Sequence, residues 1–146
     1  MLFPTHLAAA YTISKHTSTD ALAVITGAAL PDILDKSLAA QGVTTLYHTF
    51  GHSIYTVMAA IPFLRESQRG RGILLGWMSH LLLDGIQMII NGRASDVQFL
   101  FWPSIQHVPE VFLPPIRFSK HYIGTPAFYT EIGIWVTAIL TFVTRS

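Results

Sequence analysis

His80 and Asp84 interrupt GWMSHLLLDGIQMII, an otherwise apolar stretch over residues 76–90. An imidazole and a carboxylate in such surroundings are tolerated only when hydrogen-bonded, paired or metal-bound. Four residues apart, they share one face of a helix, one turn above the other. His48 and His52, in YHTFGHS, repeat that spacing. Asp32 and Asp35 lie in GAALPDILDKSL, a costly place for two acids unless a cation neutralises them, and His6 is the ionisable group of the apolar FPTHLAAAY. The set contains imidazole and carboxylate but no sulfur, because the chain has no cysteine. That donor set suits Zn²⁺, and also Mn²⁺ or Fe²⁺. It exceeds one tetrahedral shell, so either two ions share a bridging carboxylate or some members orient the ligands from behind.

The elements that carry these residues must bring them to one depth. RESQRGRG, residues 65–72, reads as a short polar turn between two apolar segments, and its arginines favour the cytoplasmic side. If those segments form an antiparallel helical hairpin about Glu66, His52 and His80 stand 14 residues either side of the turn, and His48 and Asp84 stand 18 either side. The two pairs then face each other, the usual way a helical bundle builds a metal site.

Hydrophobic residues make up 51% of the 146-residue chain and charged residues 12%; the mean hydropathy is +0.45. A soluble domain carries about 25% charged residues, so the deficit points to a membrane. Three segments are candidates to cross it. Residues 37–64 contain no Asp, Glu, Lys or Arg, ILLGWMSHLLLDGIQMII runs to the turn signal Asn91-Gly92, and EIGIWVTAILTFVT resembles a C-terminal anchor. Residues 4–15 and 19–30 read as helices, the second capped by Thr19-Asp20 and ended by Pro31. Ala94 to Pro126 holds five prolines and no clear period, which predicts an irregular excursion with one short helix. Strand alternation is absent. The expectation is a single domain over residues 1–146: an all-α bundle of about three to five helices, at least partly embedded, in a multi-pass cell-membrane protein. A net charge of +1 gives no field to attract nucleic acid. No basic n-region precedes the first apolar stretch, so a cleaved signal peptide is not expected. The aromatics of QFLFWP and Tyr122 to Tyr129 read as an interfacial belt. His16, His107 and His121 are assigned to the surface, and Lys36 to a solvated pair with Asp35 or a contact to an anionic substrate.

The motifs FPTHLAAA, GAALPDILDK, FGHS and GWMSHLLLD, followed by FWP, occur in that order over about the first 103 residues. This ordered set resembles the family of membrane-bound, metal-dependent hydrolases also described as LexA-binding, inner-membrane-associated hydrolases. The resemblance implies a helical membrane fold and a metal site related to that of zinc-dependent phospholipases C. It nominates His6, Asp32, His52, His80 and Asp84, with Asp35 as a further acid. Two positions depart from the family pattern: His48 stands where many relatives carry arginine, and the aspartates are spaced Asp-x-x-Asp rather than Asp-x-Asp.

The function expected is metal-assisted hydrolysis of an ester or phosphoester, small or lipid-derived, with membrane lipid as a partner. His52, His80 and Asp84 would hold the principal ion, and His6 and Asp32 would complete it or bind a second. Asp35 or His48 would be the general base. Ser53 and Ser79 each neighbour a histidine, but adjacent helix positions do not face each other, so no serine triad is read. Two rivals use the same residues: a non-catalytic membrane protein that binds or transports a metal ion, and a structural protein whose buried His–Asp pairs specify packing.

Overall fold

The computed structural model describes residues 1–111 and 113–145, apart from the side chain of Pro115. Among them are six α-helices, one 3₁₀ helix and no strand, so the all-α expectation holds while the count exceeds three to five. The excess comes from short pieces: the proline-rich excursion carries both the 3₁₀ helix Ala94–Phe101 and a separate two-turn helix. The long elements are α1 (Phe3–Thr17), α2 (Ala21–Ala40), α3 (Ile54–Leu64), α4 (Gln68–Ile90) and α6 (Pro126–Arg145); α5 is Pro115–Tyr122.

Local chemistry sets the helix ends. Ser18 adopts the left-handed conformation, φ 53°, and closes α1; Asp20 then caps α2 by accepting from the Leu22 and Ala23 N–H groups. Ser67 caps α4 through the Gly70 N–H, which places the α3–α4 turn at Arg65–Ser67, as expected. Pro31 does not end α2. The helix runs through it to Ala40, although the ring removes one intrahelical donor. Pro31 itself is buried, and α2 packs more extensively against α4 than against any other helix among the described residues.

That contact is close because glycines line it. A Cβ on Gly27 would run into the Ile73 backbone, and one on Gly76 into the Val24 carbonyl. With Val24 beside Gly76, and Ala28 receiving His80, the two helices run parallel. Thr5 meets Glu131 and Lys15 meets Arg145, so α1 and α6 are also parallel. Small residues, Ala10, Val24 and Ala28, fill the α1–α2 core, while Val57, Leu74, Trp77 and Leu81 fill that between α3 and α4.

The uncharged run 37–64 is not one span. α2 ends at Ala40 and α3 covers only 11 residues, with a loop between them. Two helices, α4 and α6, are long and apolar enough to cross a membrane. α6 exposes Val136, Ile139, Leu140, Phe142 and Val143 on its outer face. Two of the aromatics read as an interfacial belt face the interior instead. Phe99 and Tyr122 are buried, Phe99 against the rings of His48 and His52.

Candidate metal centre

His80 projects from the middle of α4, and its Nδ1 lies 2.7 Å from the Ala28 carbonyl oxygen on α2. A carbonyl only accepts, so Nδ1 carries the proton and Nε2 presents a lone pair to the interior. His52 is arranged in the same way by a different device. Its Nδ1 is 2.8 Å from Oδ2 of Asp35, another acceptor, so its Nε2 is also turned inward. The two Nε2 atoms are 3.1 Å apart. Two lone pairs at that distance repel unless a proton or a metal ion lies between them.

The remaining donors surround that point. Oδ2 of Asp84 is 3.3 Å from Nε2 of His80, 3.6 Å from Nε2 of His52 and 3.7 Å from Nε2 of His48. Oδ1 of Asp32 is 3.7 Å from Nε2 of His52. Ligands of a tetrahedral zinc ion at ordinary bond lengths lie about 3.3 Å from one another. Three overlapping groups can therefore hold an ion: His6, His80 and Asp84; Asp32, His52 and His80; and His48, His52 and Asp84. The other carboxylate oxygen of Asp84 faces away, 3.1 Å from Nε2 of His6 and 2.8 Å from the Met1 amine. Asp84 is thus placed to bridge. All five residues nominated as ligands meet here, and His48 joins them.

Asp35 stands behind the cluster. Its two oxygens accept from the Thr49 N–H and hydroxyl, the Gly51 N–H, and both the N–H and the ring of His52. With both oxygens committed, it fixes the tautomer and ring angle of His52, the role a carboxylate takes behind a metal-ligating histidine. Burial opposes its charge, but these bonds outweigh burial and hold its carboxyl below the usual range. Burial likewise disfavours a charged His52; Asp35 and Asp84 overcome it and raise its pKa to about 9. In the absence of metal the cluster thus takes up a proton between His52 and His80. His6 differs: burial, only partly offset by Asp84, lowers its pKa to about 4. Its buried Nδ1 has no hydrogen-bond partner and its ring stacks on His80, 3.7 Å between centroids. In the absence of metal its Nε2 donates to Oδ1 of Asp84, so the tautomer of His6 is opposite to that of His52 and His80.

His48 and His52 do not lie on a helix. Both belong to the loop before α3, which wraps around Asp35 and is tied to α4 by the Trp77 indole donating to the Gly51 carbonyl. The pairing inferred for them nonetheless holds, because the loop ends at Ser53, the cap of α3, at the depth the hairpin sets.

A cavity of about 340 Å³ opens beside the cluster, lined by Asp32, His48 and Asp84 and, further along, by Lys36, Arg93 and His107. Lys36 pairs with Asp32, not with Asp35. His107 is not a free surface residue: Asp96, itself buried, binds Arg93 at 2.6 Å and His107 at 2.8 Å and accepts from the Glu110 N–H. Glu131, the acid at the head of the apolar EIGIWVTAILTFVT of α6, accepts from Leu2 N–H and the Thr5 hydroxyl, and so pins the start of α1 over the cavity. The signal for the Asp96 group was Arg93-x-x-Asp96 after the Asn91-Gly92 turn; for Glu131 it was the cost of a lone acid in an apolar helix.

No protein-family model, curated protein or solved structure matches this chain.

Proposed function

We propose that this chain is a membrane-bound, metal-dependent hydrolase of an ester or phosphoester, in keeping with the family its motifs resemble. One observation carries the reading: Nε2 of His52 and Nε2 of His80 face each other across 3.1 Å, both Nδ1 protons being committed elsewhere, with Asp84 and Asp32 beside them. Without a metal the two nitrogens are reconciled only by an extra proton on His52. A divalent cation would take the place of that proton and use all four donors at once.

Zinc is the ion that the nitrogen and oxygen donors favour, with manganese or iron as alternatives. His52, His80 and Asp84 would hold it, Asp32 would complete the shell, and Asp84 with His6 would offer a place for a second. A bound divalent cation supplies Lewis acidity and lowers the pKa of water from about 15.7 towards 7. In the hydrolysis, the water oxygen forms the new bond to phosphorus or carbon, the bond to the leaving alkoxide breaks, and the proton lost by water returns to that alkoxide. His48 is the group to carry it. Its ring lines the cavity, is 31% exposed, and lies 3.7 Å from Asp84. Asp35, fully engaged with His52 and the loop, serves as orienter instead of base.

α4 and α6 anchor the chain as a multi-pass protein of the cell membrane. The outer face of α6 supports this, since a contiguous apolar surface of that kind is stable only against lipid or another apolar partner. The test is to purify the protein, measure its metal content, and assay turnover on a panel of carboxylic and phosphoric esters. Stoichiometric zinc with turnover is expected. His80→Ala with full metal and full turnover would overturn the reading. Metal uptake into proteoliposomes without hydrolysis would establish transport in its place.

A further inference from the structure

The charges that line the cavity balance until a metal is bound. Three aspartates face it, Asp32, Asp84 and Asp96, against three cations, Lys36, Arg93 and the Met1 amine that pairs with Asp84. A divalent cation held there would therefore leave the cavity with a net positive charge. The rest of the wall is largely apolar, with Leu46, Met88, Val111, Leu113 and Phe118 among its residues. A net positive charge between such walls, with little water to screen it, favours an anion strongly.

Two fixed cations are available to receive one. Arg93 is only 11% exposed and is held through Nη1 by the buried Asp96, which leaves the other edge of its guanidinium fork uncommitted to that acid. Asp96 also holds His107, so both groups are oriented before any ligand arrives. Lys36, 39% exposed, is bound to Asp32. With a metal ion held by Asp32, the ammonium would have less to hold it and would be available to a second anion.

Resting on the hydrolase reading above, we infer that the cavity takes an anionic amphiphile, a phosphate group carried on an apolar chain. The phosphate lies between the metal cluster and Arg93, with Lys36 on its flank, and the chain lies along the Met88–Val111–Phe118 wall. A planar guanidinium matches two phosphate oxygens at once, which an uncharged ester cannot exploit.

Titration calorimetry on the zinc-loaded protein tests this with three probes: dihexanoyl phosphatidic acid, inorganic phosphate and uncharged dihexanoylglycerol. The phosphatidic acid is expected to bind about tenfold more tightly than either of the others. Arg93→Gln should weaken it about tenfold, leave dihexanoylglycerol unchanged and keep the metal content intact, while Arg93→Lys should lose less because the charge remains. Equal binding of the charged and uncharged lipids overturns the inference, as does a folded, metal-loaded Arg93→Gln protein that binds phosphatidic acid normally. Inorganic phosphate binding as tightly as the lipid overturns the apolar part. Arg93-dependent binding without turnover of any ester would sink the hydrolase reading and leave this one standing.

Discussion

Two clusters in this protein are built from the same residue types and reach opposite electrostatic outcomes. Around Asp96, every acceptor has a donor: Arg93, His107 and the Glu110 N–H share its two oxygens. Around Oδ2 of Asp84, the ring nitrogens turned inward have no proton to offer unless His52 takes on an extra one, because Asp35 and the Ala28 carbonyl have already claimed the Nδ1 protons of His52 and His80. A histidine near an aspartate is therefore not by itself a metal site. The need for a cation is read from what the far nitrogen of the ring is doing.

If that distinction is right, the largest effect belongs to Asp84→Asn. Asp84 serves two of the three ligand groups and faces a different set of partners with each oxygen. An amide there loses the charge and turns a donor towards lone pairs or metal. Bound metal should fall to background by elemental analysis, a loss of affinity well beyond the roughly 10–100-fold typical of outer-shell changes. Metal retained at full stoichiometry would erase the contrast between the clusters.

Asp35→Asn should fall in that outer-shell range, about 10–100-fold in zinc affinity. Its pH dependence sharpens the comparison. The folded pKa of His52, about 9, lies above its unfolded value of about 6.5. In the metal-free protein this group thus contributes stability that is fully present below about pH 6.5 and is lost as pH rises through about 9. Metal must displace the same proton, so zinc affinity should climb with pH up to about 9. Competition with a chromophoric chelator measures it. The asparagine variant, lacking one of the charges that raises His52, should level off at lower pH. A pH profile identical to that of the unmodified protein would separate Asp35 from the site.

Asp96→Asn tests the other cluster. It removes the charge that Arg93 and His107 share and turns an N–H donor towards one of them, and losing a buried charged hydrogen bond costs about 2 kcal/mol. Urea unfolding should register that loss while metal content stays unchanged.

How far the sequence revealed this contrast depends on what each cluster draws on. The four-residue spacings and the turn near Glu66 gave the meeting of His48 and His52 with His80 and Asp84, since equal distance from a hairpin turn means equal depth whether the intervening chain is helix or loop. The same pattern could not show that residues 49–52 wrap around Asp35. That fold depends on three backbone N–H groups converging on one carboxylate, and backbone donors carry no residue signature. Pro31 differs for a related reason: its local preference is set by its own ring, whereas its place in the fold is buried against the loop at Gly51, a contact that the local sequence does not carry. His107 was assigned to the surface because its partner, Asp96, is 11 residues away in a segment without period.

The smallest effect is expected from the same substitution that should be ruinous at His52. In His107→Gln, the new amide can donate to Asp96 as the ring Nε2 does, and the side chain, 22% exposed, leaves room for water to make up what geometry loses. Asp96 keeps Arg93 and the Glu110 N–H in any case. The change in stability should be about 1 kcal/mol or less, by urea midpoint, with metal content unaltered. His52→Gln has no such escape, because an amide that donates to Asp35 turns only its carbonyl oxygen inward, a weaker metal ligand than imidazole. Should His107→Gln cost as much metal as His52→Gln, the Asp96 cluster would be part of the metal centre, and the division between self-neutralised and cation-seeking acids would fail where it was drawn.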